Sequence, residues 1–284
     1  MALTEGIRGN DKERGVFMEI IRLENVTKSY GDKLVLNHID KVFHRGEAVA
    51  FVGHNGCGKS TLLRIIAGLT VPSDGRAVQA PGLLFHYIPE KFPPTPVTAR
   101  QYLLNMGILD GMRRDEAGRR IASLGEDFFF GELLDVPMRS LSKGTLQKVG
   151  VIQAFMTRPD VLLLDEPVSG QDKESQKVLI EKTNELRGED VTILLSCHEE
   201  HIVNAIAQDV YTIREGRLED YEPAGTKMCT VILENAGGLE ADGRMTKYGR
   251  YYRLKAEETE CDRILPGLLS RGWRLRGMYN EEDS

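Results

Sequence analysis

Gly53-His54-Asn55-Gly56-Cys57-Gly58-Lys59-Ser60-Thr61 satisfies every fixed position of the pattern G-x-x-x-x-G-K-[ST], a loop that cradles phosphate. Glycines at 53, 56 and 58 let successive backbone N–H groups turn inward into an anion-binding nest, with His54, Asn55 and Cys57 between them. Lys59 then supplies the charge for β- and γ-phosphates, Ser60 offers a hydroxyl to a magnesium ion, and Thr61 adds a further phosphate contact. A second chemical pair is Asp165-Glu166, directly after the apolar run Val161 to Leu164. Asp165 there can hold magnesium directly or through water, and Glu166 can orient, or take a proton from, the water that attacks a γ-phosphate. The plainer alternative for this pair is an acidic helix cap after a core strand. His198 follows the apolar run Val191 to Ser196, and its spacing to His201 also suits metal ligation on a helix.

These groups need strands that end at one place and a helix that starts there. Ala48 to Val52 reads as a buried strand, and Ser60 to Leu69 carries apolar residues at helical spacing, so the loop lies between strand and helix. Ile20 to Val26 and Leu34 to Phe43 read as an antiparallel edge before the main sheet. Pro72-Ser73-Asp74-Gly75 reads as a turn, Leu83 to Ile88 as a strand, and Pro89 to Pro96 as a Pro-rich loop. Thr98 to about Leu124 and Ser140 to Met156 are helical, which makes residues 91–157 a helical insertion. Asp172 to Arg187 is a helix and Val191 to Ser196 a strand, so His198 falls at a strand's carboxyl end, where open α/β sheets bind ligands. Residues 1–17 are polar and aperiodic and are expected to form a disordered tail, with Met18 as an alternative start.

A length of 284 residues with 41% hydrophobic content allows a sizeable core. No apolar window is long enough for a bilayer span, and the N-terminus lacks the order of a signal peptide, so a cytosolic location is expected. Cysteines 57, 197, 229 and 261 lack metal-ligand spacing and read as reduced thiols. A formal net charge of −6 without a long basic run argues against a nucleic acid partner.

With Leu141-Ser142-Lys143-Gly144-Thr145 between the phosphate loop and Asp165, the chain from about Met18 to Leu218 resembles the ATP-binding subunit of ABC transporters. The resemblance implies ATP and Mg2+ as cofactors and an ATPase that works as a homodimer or heterodimer. It also implies a separate integral membrane permease, and so a peripheral position on the inner face of the cell membrane. By the same resemblance Tyr30 stacks on adenine and Glu90 stands where a glutamine loop contacts magnesium and water. Ser142 and Gly144 contact a γ-phosphate held by the other subunit, Ser169-Gly170-Gln171-Asp172 communicates between sites, and His198 senses the γ-phosphate. The match departs at Glu90, where glutamine is usual, at Lys143 and Thr145 in place of glycine and glutamine, and at Gln171 in place of leucine. The short helical insertion and the Pro-Glu loop resemble export-type subunits.

The expected architecture is α/β: a P-loop NTPase core over residues 18–220 with an antiparallel β edge, the helical insertion, and a small C-terminal α/β appendix over 221–284. In the appendix Met228 to Glu234, Arg250 to Lys255 and Trp273 to Met278 read as strands. Glu257 to Arg271 reads as a helix broken or bent near Pro266. The alternative function is a soluble ABC ATPase acting on DNA or the ribosome, against which stand a single P-loop, no long coiled-coil insertion and no basic stripe. A P-loop GTPase or small-molecule kinase lacks a guanine-reading N-K-x-D sequence here and leaves the Ser142 motif unexplained.

Overall fold

The computed structural model describes residues 18–221, 228–235 and 245–280; the tail expected over 1–17 lies outside them. The chain divides into two compact units, Met1–Tyr221 and Glu222–Ser284.

In the first unit, the strands β1 (Glu19–Tyr30), β2 (Lys33–His44) and β4 (Asp74–Gln79) form an antiparallel sheet in the order β2-β1-β4. The strand β4 overturns the turn expected at Pro72 to Gly75. Asp74 pairs with Thr27 and Arg76 with Glu24, so cross-strand pairing with β1 overrides local turn propensity.

A six-stranded sheet carries the chemistry. Its members are β3 (Ala48–Val52), β5 (Phe85–Ile88), β6 (Val161–Asp165), β7 (Thr192–Ser196), β8 (Asp209–Arg214) and β9 (Arg217–Asp220), in the order β5-β6-β7-β3-β8-β9. All neighbours are parallel except β9, which pairs antiparallel with β8. Every residue of β6 and of β7 is buried, as expected of parallel strands covered on both faces. Alternation assigns the faces. Ala48, Ala50, Leu162, Leu164, Ile193 and Leu195 belong to one core, and Val49, Phe51, Val161, Leu163 and Leu194 to another.

The second of these cores is closed by α1 (Lys59–Ile66) and the antiparallel sheet. The first is closed by α2 (Ala99–Leu109), α3 (Arg114–Asp127), α4 (Lys143–Ala154), α5 (Lys173–Gly188) and α6 (Glu200–Ile206). The helical run expected from Thr98 to Leu124 is thus two helices, α2 and α3, the first closed at its start by a reciprocal Thr98–Gln101 capping box. Elements α6, β8 and β9 had no expectation attached to them.

The second unit has strands β10 (Met228–Asn235), β11 (Met245–Tyr248), β12 (Tyr251–Glu257) and β13 (Trp273–Asn280), in the order β11-β12-β10-β13, with α7 (Glu258–Ser270). Its core holds Cys229, Val231, Leu233, Leu254, Cys261, Leu268 and Trp273. The helix expected over Glu257 to Arg271, broken or bent near Pro266, is α7; it is continuous through that residue, with Cys261 and Leu268 on either side of it held in the core.

One ionic contact ties α4 to the start of α5. Lys148 is almost fully buried; its ammonium lies 2.7 Å from Asp172 Oδ2 and donates to the Phe128 carbonyl at 3.1 Å. Asp172 is also the N-cap of α5, accepting from Ser175 N–H at 2.9 Å. Partial burial pushes its carboxyl up, but Lys148 and the Ser175 donors prevail and hold it well below the ordinary carboxylate range. An Asp172→Asn variant keeps a capping oxygen and strands the buried ammonium. We expect a loss of about 1–3 kcal/mol in urea unfolding at pH 7. Because the folded pKa is depressed, the contribution is complete above about pH 4 and is lost as pH falls through the lowered value. The difference between wild type and variant should therefore be constant from pH 7 to 5 and shrink below about pH 4.

Candidate active site

The loop after β3 passes directly into α1. Gly58 is the N-cap residue with φ 119°, and a Cβ there would lie 2.8 Å from Leu36 Cδ2, so both conformation and space require glycine. Lys59, at the first turn of α1, is almost fully buried. Its ammonium donates to the carbonyls of Gly53 (2.8 Å) and His54 (3.3 Å) and lies 3.9 Å from Glu166 Oε1. A buried cation beside the free N–H groups of a helix start is an anion site on electrostatic grounds.

Three neighbouring strands, β6, β7 and β3, deliver the remaining groups at their carboxyl ends. Asp165 closes β6 with no exposed surface. Its Oδ1 accepts the Ser60 hydroxyl at 2.8 Å and the Ser196 hydroxyl at 2.7 Å; its Oδ2 accepts the Tyr87 hydroxyl at 2.8 Å, with the Arg64 guanidinium 3.9 Å away. Burial, and then the Asp165 charge, hold the Tyr87 phenol well above its ordinary value, so it remains a donor.

Glu166 is 8% exposed and adopts φ 48°, a left-handed conformation uncommon for a side chain of this kind. Its N–H donates to the Ser196 carbonyl at 2.9 Å. One carboxylate oxygen lies 2.7 Å from His198 Nδ1; the other, Oε1, is buried with no hydrogen-bond partner. That oxygen has the Lys59 ammonium 3.9 Å away and keeps an unused acceptor position. His198 is itself exposed, and a protonated Nε2 on its far side would donate to an anion. The neighbouring Cys197 thiol is buried, which pushes its pKa up to about 12 and makes it inert.

These groups share one cavity of about 530 Å³, lined by Lys59, Ser60, Glu90, Lys143, Glu166 and His198, among others. That size suits a small ligand. Asn55, Gly56, Gly58 and Thr61 line it as expected of a phosphate loop. Gly53, His54 and Cys57 do not: Cys57 packs its thiol into the core, and His54 lines a separate concavity with Arg214 and Arg217. Tyr30, half-exposed at the end of β1 with the Lys28 ammonium 5.0 Å from its ring centroid, also stands outside this lining. Val35 of β2 lines it, and nothing in the sequence singled that residue out.

Ser142 is the N-cap of α4, accepting from Thr145 N–H at 3.2 Å, and is exposed with Lys143. Neither Ser142 nor Gly144 lines the cavity that holds Lys59, whereas Lys143 does, donating to Ser169 Oγ at 3.2 Å. Gly144 is buried against the next loop, and a Cβ there would lie 1.9 Å from the Gly170 carbonyl oxygen. Two contacts with no expectation attached complete the arrangement. Gln147, also buried on α4, donates to the Pro89 carbonyl at 2.7 Å and so fixes the residue before Glu90. Gln171 donates to the Pro167 carbonyl at 2.7 Å and closes the turn after Glu166.

The donors Ser60, Asp165 and Glu90 are all oxygen, which suits a hard divalent cation completed by phosphate and water. Among the described residues no group of three or more His, Cys, Asp and Glu is placed to hold a metal ion by itself. No helix among them is long and apolar enough to cross a membrane.

Residues 36–169 match the family model described as "ABC transporter". The chain is 34% identical over 201 residues to the zinc import ATP-binding protein ZnuC of Photorhabdus laumondii, covering 69% of this chain and 75% of that protein. It is 32% identical to ZnuC of Halorhodospira halophila over 70% of this chain and 75% of that one. Among solved structures, it is similar to an ATP-binding subunit of an ABC transporter, with a TM-score of 0.64, 30% identity, and coverage of 70% and 88%. A dimeric ATP-binding cassette in a post-hydrolysis state with ADP and Pi shares the fold, with a TM-score of 0.65 at 21% identity, covering 72% of this chain and 98% of that one.

The tight approach at Gly144 generates an expectation that needs no ligand. Gly144→Ala should lower the melting temperature of the nucleotide-free protein by several degrees, since a Cβ against a backbone oxygen costs about 1–3 kcal/mol. An unchanged melting temperature would mean that this loop shifts freely and that packing does not require glycine there.

Proposed function

The chain belongs to the ATP-binding subunits of the ABC transporter family, and from that premise we propose that its cavity binds and hydrolyses ATP between two such subunits to drive a membrane permease. ATP hydrolysis and coupling to transport follow from the family. The residue roles are our reading. It is carried by the convergence of Lys59, Ser60, Asp165, Glu166 and His198 at the carboxyl ends of adjacent parallel strands.

The Lys59 ammonium, now resting on loop carbonyls, is placed to exchange them for β- and γ-phosphate oxygens, with the N–H groups of α1 adding to the field. Ser60 and Asp165, with Glu90 opposite, would hold magnesium. Once bound, that ion neutralises charge on the phosphates. Glu166 Oε1, buried without a hydrogen bond beside the Lys59 ammonium, would accept from the attacking water once Lys59 turns to the phosphates, while the Nδ1 contact of His198 restrains the other oxygen. His198 would then report the γ-phosphate through its second nitrogen. Tyr30 remains our candidate for the adenine face, and His54, Gly53 and Cys57 are assigned to the loop's shape and backbone.

Pairing follows from α4. Its N-terminus is capped by Ser142 and exposed, and Ser142 stands outside the lining of the Lys59 cavity of the same chain, so we assign it to a phosphate held by a second subunit. We take the chain to act as one of two ATPase subunits peripheral to the inner face of the membrane, with no nucleic acid partner. The relatives named as zinc import proteins support import of zinc, with the metal handled by the membrane subunit as cargo. This replaces the export-type likeness drawn from the helical insertion, because the length of an insertion in the motor does not encode direction.

Lys59→Ala should nearly abolish ATP binding, as phosphates lose their buried counter-ion. Glu166→Gln keeps the shape, should slow turnover by about 10²–10⁴-fold, and should accumulate an ATP-dependent dimer in sedimentation velocity. Adding Ser142→Arg should remove that dimer. A monomeric Glu166→Gln protein in saturating ATP and magnesium, with wild-type turnover independent of concentration, would refute the paired mechanism. Zinc uptake in cells that lack the chain, at limiting external zinc, tests the cargo.

A further inference from the structure

We propose that Tyr87 is a positioning residue for the magnesium site: its hydroxyl holds the Asp165 carboxylate in the orientation that aims Ser60 at the ion. The proposal rests on the nucleotide and magnesium reading above. Asp165 has no exposed surface, and hydroxyls grip both of its oxygens. Ser60 and Ser196 donate to Oδ1, at 2.8 and 2.7 Å, and Tyr87 donates to Oδ2 at 2.8 Å. A carboxylate fixed at Oδ1 alone can still turn about its Cβ–Cγ bond. The Tyr87 contact removes that freedom.

The competitor is also visible. Arg64, on the same helix as Ser60, has its guanidinium 3.9 Å from Oδ2 on a side chain 42% exposed. The guanidinium also hydrogen-bonds the Tyr87 hydroxyl, so removing that hydroxyl frees Arg64 and leaves it as the charged neighbour of Oδ2, able to turn the carboxylate from its present orientation. Ser60 then loses the acceptor that directs its lone pairs, so the ion should bind more weakly. Tyr87 stands on β5, opposite Leu163 of β6 in register, and its hydroxyl reaches past that partner to the end of β6. Three residues further along the same strand direction is Glu90, in the cavity wall. The segment of β5 and the two residues after it therefore touches the ion's surroundings twice, once through the Tyr87 contact to Asp165 and once through Glu90. Outer groups that orient metal ligands typically change metal affinity by about 10–100-fold when removed.

The test uses Mn2+ in place of magnesium, with the full chain and ADP. Manganese binding is followed by electron paramagnetic resonance, and nucleotide binding without metal is followed in excess chelator. For Tyr87→Phe we expect manganese affinity about 10-fold weaker and metal-free nucleotide affinity unchanged, with a melting temperature lowered by a few degrees because a buried carboxylate loses a donor. Ser196→Ala, which frees Oδ1 from the other side, should shift manganese affinity in the same direction. Equal manganese affinity in Tyr87→Phe and wild type would overturn the proposal. So would a parallel loss of metal-free nucleotide binding, because that would mark Tyr87 as a support of the whole cavity. If wild-type protein itself binds no manganese with nucleotide, the site reading fails, and that outcome is separate from a failure confined to the variant.

Discussion

A carboxylate with no access to water is the constraint on which this site depends. Burying an ionised group without partners is severely unfavourable, so Asp165 requires donors on every side. It takes them from Ser60 on α1, Ser196 at the end of β7 and Tyr87 on β5. The four elements that build the cavity floor are thereby pinned to one another at a single anion. Glu166, next in the chain, inherits its place from this anchor. Its backbone N–H is bound to Ser196, its φ is positive, and one oxygen is restrained by His198 while the other, without a hydrogen bond, lies 3.9 Å from the Lys59 ammonium.

Around that anchor the structure keeps charges poised against one another. Lys59 is held by two carbonyls and faces Glu166 at 3.9 Å, a separation at which a phosphate oxygen competes readily for the ammonium. The helix α4 connects this chemistry to surfaces beyond it. Its exposed start carries Ser142, its buried Gln147 grips the carbonyl before Glu90, and Lys148 meets Asp172 at the cap of α5. A displacement of α4 would thus be felt at once by Glu90 and by the loop after Glu166. This is a physical route by which nucleotide state and a membrane subunit could influence each other.

Much of this was legible in residue types. A buried parallel strand must be apolar through its length, so Ala48 to Val52, Val161 to Leu164 and Val191 to Ser196 announced themselves, and the phosphate loop, Asp165 and His198 that follow them marked the ligand side. The strand at Asp74 was hidden because its residues carry turn propensity and gain their state from pairing with β1. Pro266 does not end α7 for a related reason: packing on both sides carries the helix through a residue that would end an isolated one.

Spacing along the chain was enough to determine the phosphate loop, the Asp165-Glu166 pair and the order in which strands and helices must follow, since those depend on local periodicity and on chemistry shared by adjacent residues. Tertiary structure alone decided which distant groups meet. Tyr87 and Ser196 became partners of Asp165, Gly144 became necessary because Gly170 lies against it, and Cys57 turned into the core while Lys143 and Val35 turned toward the cavity. The physical reason is that a hydroxyl, a glycine or a valine carries no sign of its partner. Its role arises when strand register and helix packing bring another group within a few ångströms.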